Sequence, residues 1–278
     1  MNNNEVKPFL RWAGGKKWII NHLKNLVTDE YKTYHEPFLG GGSVFLAMNP
    51  QNGAILSDSN EDLIQTYNCI KDNPYAVISL LQKMDNTRED YYHIREIEPQ
   101  DPFERAARFI YLNQTSFNGL YRVNRLGKYN VPYGNRRTNI YDENNLLAVS
   151  KRLCNAVLSC VDFELALSQI NPGDLVYLDP PYVVAKEDNC FILYNKRLFS
   201  LEDQKRLSKC IDKIKDANAF YILSNAKHDT IREIFEKKDD SIISLSRTSL
   251  IGGKNAYRGN IEEYLFTNIP RARERLGL

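Results

Sequence analysis

At 278 residues, 42% hydrophobic and 26% charged, the chain has the composition of a water-soluble globular protein, with room for one large domain or a domain carrying an insertion. No apolar run reaches the roughly 18–20 residues that a bilayer span needs, and Met1-Asn2-Asn3-Asn4-Glu5 lacks the basic-then-apolar layout of a signal peptide. The expectation is a cytoplasmic protein without a membrane partner. The five cysteines are odd in number and form no C-x-x-C pair, and with only four scattered histidines the chain is expected to hold reduced thiols and no metal.

In chain order, a strand is expected at Thr33–Glu36, running into Pro37-Phe38-Leu39-Gly40-Gly41-Gly42-Ser43. A helix follows over Val44–Met48, with Ser43 as its N-cap. A short strand, Ala54–Ser57, then ends at Asp58, 18 residues after Gly40. Glycines let the backbone approach a ligand closely, and an acid at the tip of the second strand can bind both hydroxyls of a ribose.

Residues 61–155 read as mainly helical and polar. Within them, residues 120–133 look like a hairpin turning at Asn124-Arg125-Leu126-Gly127. From Arg105 to Tyr141 there are seven basic residues, seven aromatics and no acid. A basic, acid-free, aromatic-rich segment suits a polyanion with stackable bases, although a solvated face over core aromatics would have the same composition. Arg122 suits bidentate contact with guanine O6 and N7, and Arg125, Lys128, Arg136 and Arg137 suit phosphates, which position without specifying sequence.

Sheet-like segments resume at Val157–Val161, Leu175–Leu178, Phe220–Ser224, Ile242–Leu245 and Glu263–Thr267, with a helix at Leu201–Ala217. This rhythm predicts an α/β sandwich around a largely parallel sheet. The division expected is residues 1–60 with 156–278 as one domain, and 61–155 as an insert. The connection Tyr182–Tyr194 and the glycine-bearing loop Ile251–Gly259 read as mobile.

The strand at Leu175–Leu178 leads directly into Asp179-Pro180-Pro181-Tyr182. Prolines fix φ and donate no backbone hydrogen bond, so this could be a plain turn. It is also a device for holding a flat ring that bears an amine. Asp179 can accept one amine hydrogen and the Pro180 carbonyl the other, while Tyr182 lies against the ring face. Such a grip draws the nitrogen lone pair out of conjugation and aims it at an electrophile.

Phe9-Leu10-Arg11-Trp12-Ala13-Gly14-Gly15-Lys16, Glu36-Pro37-Phe38-Leu39-Gly40-Gly41-Gly42-Ser43, Asn118-Gly119-Leu120-Tyr121-Arg122-Val123-Asn124, Tyr129-Asn130-Val131-Pro132-Tyr133-Gly134 and Asp179-Pro180-Pro181-Tyr182 together resemble the Dam/DpnM group of DNA adenine-N6 methyltransferases. The order of the motifs is that of the group's α class, and the likeness runs from Pro8 to about Thr267. It implies a Rossmann-like fold that uses S-adenosyl-L-methionine, with a mainly helical DNA-recognition insert. By this resemblance Trp12, Lys16, Phe38, Gly40, Gly42, Asp58, Asp162, Phe163 and Asp179 would bind the cofactor. Asp179, Pro180, Pro181 and Tyr182 would be catalytic. Arg11, Phe117, Asn118, Leu120 and Pro132 would join the basic residues on double-stranded DNA, and Phe117 stands where some relatives carry Tyr.

The implied reaction is methylation of adenine N6 after the base is flipped out of the duplex, with GATC the site best supported. A longer site containing GAT, RNA, or another amino-bearing substrate remain alternatives, and so does a nicotinamide-dependent oxidoreductase built on the glycine loop. No obligate protein partner is evident. The sequence leaves open whether a cognate restriction endonuclease accompanies the chain.

Overall fold

The computed structural model describes residues 5–27, 30–124, 126–136, 139–182, 199–248 and 260–278. Arg125, Arg137, Cys190, most of the Tyr182–Tyr194 connection and the 251–259 loop lie outside them. Strands β1 (Tyr34–Glu36), β2 (Ala54–Asp58), β3 (Ala156–Cys160), β4 (Leu175–Leu178), β5 (Phe220–Ala226), β6 (Ser241–Thr248) and β7 (Asn260–Thr267) form a seven-stranded sheet of order β3-β2-β1-β4-β5-β7-β6. The α/β architecture expected from the sequence is the one observed; the strand Leu175–Leu178 has the expected bounds, and the other expected strands are present with their ends moved by one to three residues. The described chain clusters into two compact units, one comprising residues up to Lys17 with Leu39–Val161, the other Trp18–Phe38 with Asp162–Leu278.

In the first unit β2 and β3 pair in parallel from Ala54↔Ala156 to Asp58↔Cys160. Five longer helices begin at side-chain caps. Asn60 caps Glu61–Asp72, Asn73 caps Pro74–Leu81, Thr87 caps Arg88–Glu96, Asp101 caps Pro102–Thr115 and Asp142 caps Glu143–Leu153, each side chain accepting a backbone N–H of the first turn. The expected cap at Ser43 is corrected. Gly42, in the left-handed region at φ 64°, is the N-cap of Ser43–Met48, and Ser43 falls inside the first turn. Its hydroxyl instead accepts the Lys16 backbone N–H at 3.2 Å.

In the second unit β1, β4 and β5 run parallel, while β7 runs antiparallel to both β5 and β6. All four residues of β4 are buried, as a strand covered on both faces requires. Val176, Leu178, Leu207, Ile211, Ile214, Leu223, Phe235 and Phe266 build one core between sheet and helices. The helix Leu201–Asp216 opens with a capping box in which the Ser200 and Asp203 side chains each bond the other's backbone N–H. Because β7 is reversed, its first residues lie beside the carboxyl end of β5, with Glu263 opposite Ala226.

Candidate active site

In the first unit the glycine loop is shaped by what lies against it. Gly40 (φ 47°) and Gly42 (φ 64°) are left-handed. A Cβ at Gly40 would stand 2.8 Å from Trp12 Cδ1, and one at Gly42 would stand 2.8 Å from the Tyr67 hydroxyl oxygen. Glycine is therefore required at both positions for conformation and for space. The Trp12 indole stacks on Tyr121, with ring centroids 5.7 Å apart and planes at 28°, and it neighbours Phe109 at 6.4 Å. Lys16 is buried rather than solvated. Asp58, at the tip of β2, accepts the Gly40 N–H at 3.0 Å through one oxygen and the Asn60 N–H at 3.0 Å through the other. Burial raises its pKa, opposed by the amides of Gly40, Asn60 and Ser59. It braces the loop and, with two lone-pair sites on each oxygen, keeps capacity for hydroxyl donors.

In the second unit Asp179 follows β4 directly, and a buried polar layer surrounds it. The Ser224 hydroxyl donates to Asp179 Oδ1 at 3.0 Å, so Tyr177, 3.1 Å away, is the donor to Ser224. The Tyr182 hydroxyl donates to Glu263 Oε2 at 2.8 Å. Burial first, and then the Asp179 charge, push both phenols well above the usual tyrosine value, so they stay neutral donors. Pro180 is buried and Pro181 exposed.

Asp162 and Phe163 also belong to the second unit. Asp162 caps the short helix Phe163–Ala166 by accepting the Glu164 N–H at 2.9 Å. Arg206 binds Asp162 at 2.8 Å and both Glu164 and Asp203 at 2.9 Å, and its guanidinium lies 4.8 Å from the Phe163 ring centroid. Phe163 packs on Phe38 and on Phe199, each at 5.5 Å. Sequence reasoning missed Arg206, Ser224 and Glu263. Glu263 stands beside the exposed acid Glu262 in β7, so sequence alone does not mark which of the two is buried.

The predicted DNA-contacting residues are sorted by the structure of the first unit. The buried amide of Asn113 accepts the Arg11 N–H at 2.7 Å and donates to the carbonyls of Arg11 at 2.9 Å and Gly119 at 3.2 Å. It thus joins the Arg11–Trp12 segment to the turn that exposes Phe117 (52% accessible) and Asn118, the latter at φ 56°. Among the described residues, Arg11 Nη1 is buried without a hydrogen-bond partner. Burial, and then the nearby Arg136 charge, lowers the Arg11 pKa. The expected hairpin is present in short form, with Val123 bridging Tyr129 and the Asn130 N–H donating to the Arg122 carbonyl at 3.0 Å. Arg122 is exposed, its guanidinium held by Asn130 Oδ1 at 2.8 Å and the Asn130 carbonyl at 3.1 Å. Pro132 is exposed, Leu120 half-buried, and Lys128 reaches Glu98 at 3.1 Å.

The composition of the acid-free segment overstated its free surface. Arg105 is paired with Asp62 at 2.9 Å, and Arg108 donates to the carbonyls of Ile94 and Arg95. Of the seven aromatics only Phe117 is exposed. Tyr111, Tyr129 and Tyr133 use their hydroxyls to tie turns to helices, at Asp85, Leu120 and Asn86. Asn113→Ala is expected to destabilise the protein by about 2–3 kcal/mol, since one buried amide and two carbonyls lose their partner; urea denaturation checks this. A loss below half a kcal/mol would contradict the clamp.

Residues 12–251 match the D12 class N6 adenine-specific DNA methyltransferase family. The chain belongs to that family. Among curated proteins it is 36% identical to the type II methyltransferase M1.LlaDCHI of Lactococcus lactis subsp. cremoris, over 96% of this chain and 97% of the relative. It is 38% identical to the type II methyltransferase M.MjaIII of Methanocaldococcus jannaschii, over 80% of this chain and 85% of the relative. It is 32% identical to the DNA adenine methylase of Escherichia coli K12, over 93% and 94% respectively. Among the described residues no helix is long and apolar enough to cross a membrane.

Proposed function

We propose that this methyltransferase transfers the methyl group of S-adenosyl-L-methionine to N6 of adenine in duplex DNA, at GATC, after flipping the base. The observation that carries the reading is the Asp179 carboxylate, fixed by Ser224 at the end of β4 and followed by two prolines and an anchored tyrosine. Asp179 and the Pro180 carbonyl would accept the two amine hydrogens, and Tyr182 would stack on the base. Catalysis of this kind is positioning and electrostatics, with no histidine base or metal required. Once the nitrogen has formed its new bond to carbon it is strongly acidic, and its proton passes to Asp179 or water.

When bound, S-adenosyl-L-methionine supplies an electrophilic methyl on a sulfonium. The residues present fit such a group: a glycine loop without room for Cβ atoms, a buried lysine and a carboxylate at a strand tip. Trp12, Lys16, Gly40, Gly42 and Asp58 of the first unit, and Phe38, Asp162, Phe163 and Asp179 of the second, are the proposed ligands. Calorimetric titration with S-adenosyl-L-methionine tests this directly; an absence of binding by the intact chain would overturn it.

Residues 61–155 are proposed as the target-recognition insert. Arg122, held by Asn130, would read guanine with its remaining N–H groups. Arg11, Phe117, Asn118, Leu120 and Pro132 would approach the target and its neighbours, with Arg125, Lys128, Arg136 and Arg137 on phosphates. Arg122→Ala is expected to lose about 1–3 kcal/mol of discrimination at one base pair, read as kcat/KM on GATC against a singly altered site. Equal losses on both sites would refute base reading. A longer site containing GAT is the second reading. The proposed setting is the cytoplasm, at the bacterial nucleoid or as a phage-encoded enzyme, with no obligate protein partner. Relatives named type II methyltransferases keep pairing with a restriction endonuclease open.

A further inference from the structure

We infer that Glu263 is a positioning residue for methyl transfer, its buried carboxylate holding the Tyr182 hydroxyl so that the aromatic ring keeps one plane against the target base. The inference rests on the proposed role of the Asp-Pro-Pro-Tyr segment.

Glu263 occupies a place in β7 where an apolar residue would serve the sheet better. It is 1% exposed and lies between Ala226 of β5 and Leu245 of β6. Its neighbour Glu262 behaves as an ordinary surface acid, bonded to Lys227 at 2.8 Å. A carboxylate is costly to bury unless good hydrogen bonds compensate. Glu263 accepts one from the Tyr182 hydroxyl at 2.8 Å. The phenol is kept protonated by burial and by the flanking charges of Asp179 and Glu263, so the direction of this bond is settled.

A tyrosine ring has two side-chain torsions. Fixing its far end from a neighbouring strand removes the rocking that would spoil face-on stacking, while Ser224 fixes the carboxylate three residues earlier. The two halves of the grip are thereby held by different strands, Asp179 from β5 and Tyr182 from β7. A residue that acts only through Tyr182 should affect turnover and leave cofactor affinity alone.

The test is a double-mutant cycle of Tyr182→Phe and Glu263→Ala. It reads kcat, KM for DNA and cofactor affinity, together with the fluorescence of 2-aminopurine placed at the target base. Each single change is expected to lower kcat about 5- to 50-fold with cofactor affinity within about two-fold. The double variant should be no slower than the worse single, because both remove the same contact. Quenching of the flipped 2-aminopurine should weaken in all three. Glu263→Gln, which keeps an acceptor, should retain kcat within about five-fold of the unaltered chain. Losses that multiply in the double variant would overturn the inference. If Glu263→Ala does not fold, Tyr182→Phe decides: a five-fold or larger fall in kcat supports the contact, and an unchanged kcat overturns it. Failure of the unaltered chain to methylate DNA adenine would instead sink the proposed function, and this inference with it.

Discussion

Asp179→Ala is expected to abolish methyl transfer, with a fall of about a thousand-fold or more, while some duplex DNA binding survives. The size follows from the reaction's needs. The adenine amine is a poor nucleophile because its lone pair is delocalised into the ring, and alignment with preorganised electrostatics supplies most of the barrier reduction. Asp179 sits at the end of an entirely buried strand, with its plane set by Ser224, so its replacement removes the acceptor without disturbing β4. Asp179→Asn should fall between alanine and the unaltered chain, since an amide oxygen accepts hydrogen bonds but carries no charge for the nitrogen's developing positive charge. Single-turnover kinetics beside a DNA-binding titration check both. Appreciable turnover in the alanine variant would contradict the assignment.

Gly40→Ala has the second largest expected effect. A left-handed backbone costs an L-residue about 1–2 kcal/mol, and the new methyl would meet Trp12 at 2.8 Å, a distance that forces movement. Overpacking of this kind adds about 1–3 kcal/mol. The indole cannot retreat freely, because Tyr121 stacks on it. We expect a loss of about 2–5 kcal/mol in stability and at least a ten-fold loss in cofactor affinity, measured by urea denaturation and calorimetry. Gly15→Ala is the control for stability: its φ is not positive and an added Cβ there meets only the Trp12 carbonyl oxygen, at 3.9 Å. Equal destabilisation by the two changes would contradict the steric argument.

The parts of the fold that were legible in sequence are those governed by local physics. Glycine permits left-handed backbone and proline fixes φ wherever they stand, so the loop at Gly40–Gly42 and the end of β4 at Asp179-Pro180-Pro181 were readable. Strand positions followed from apolar runs. What escaped was set by distant partners. Ser224 and Glu263 lie 45 and 81 residues from the side chains they hold. The reversal of β7, which brings Glu263 to the carboxyl end of β5, depends on strand pairing and leaves no mark in composition. The basic insert failed in a different way. Counting its charges and rings could not show that Arg105 and Arg108 are occupied, or that Tyr111, Tyr129 and Tyr133 face inward. Ser43 lies inside the helix because Gly42, left-handed, takes the cap position one residue earlier.

The measurement that tests the central claim most directly is methyl transfer from labelled S-adenosyl-L-methionine to unmethylated duplex DNA, with each modified base mapped. The account predicts N6-methyladenine confined to GATC on both strands. N6-methyladenine within another motif would keep the chemistry and overturn the reading of Arg122 and its hairpin. No label in DNA, despite tight cofactor binding, would contradict the account and direct attention to RNA or another amino-bearing substrate.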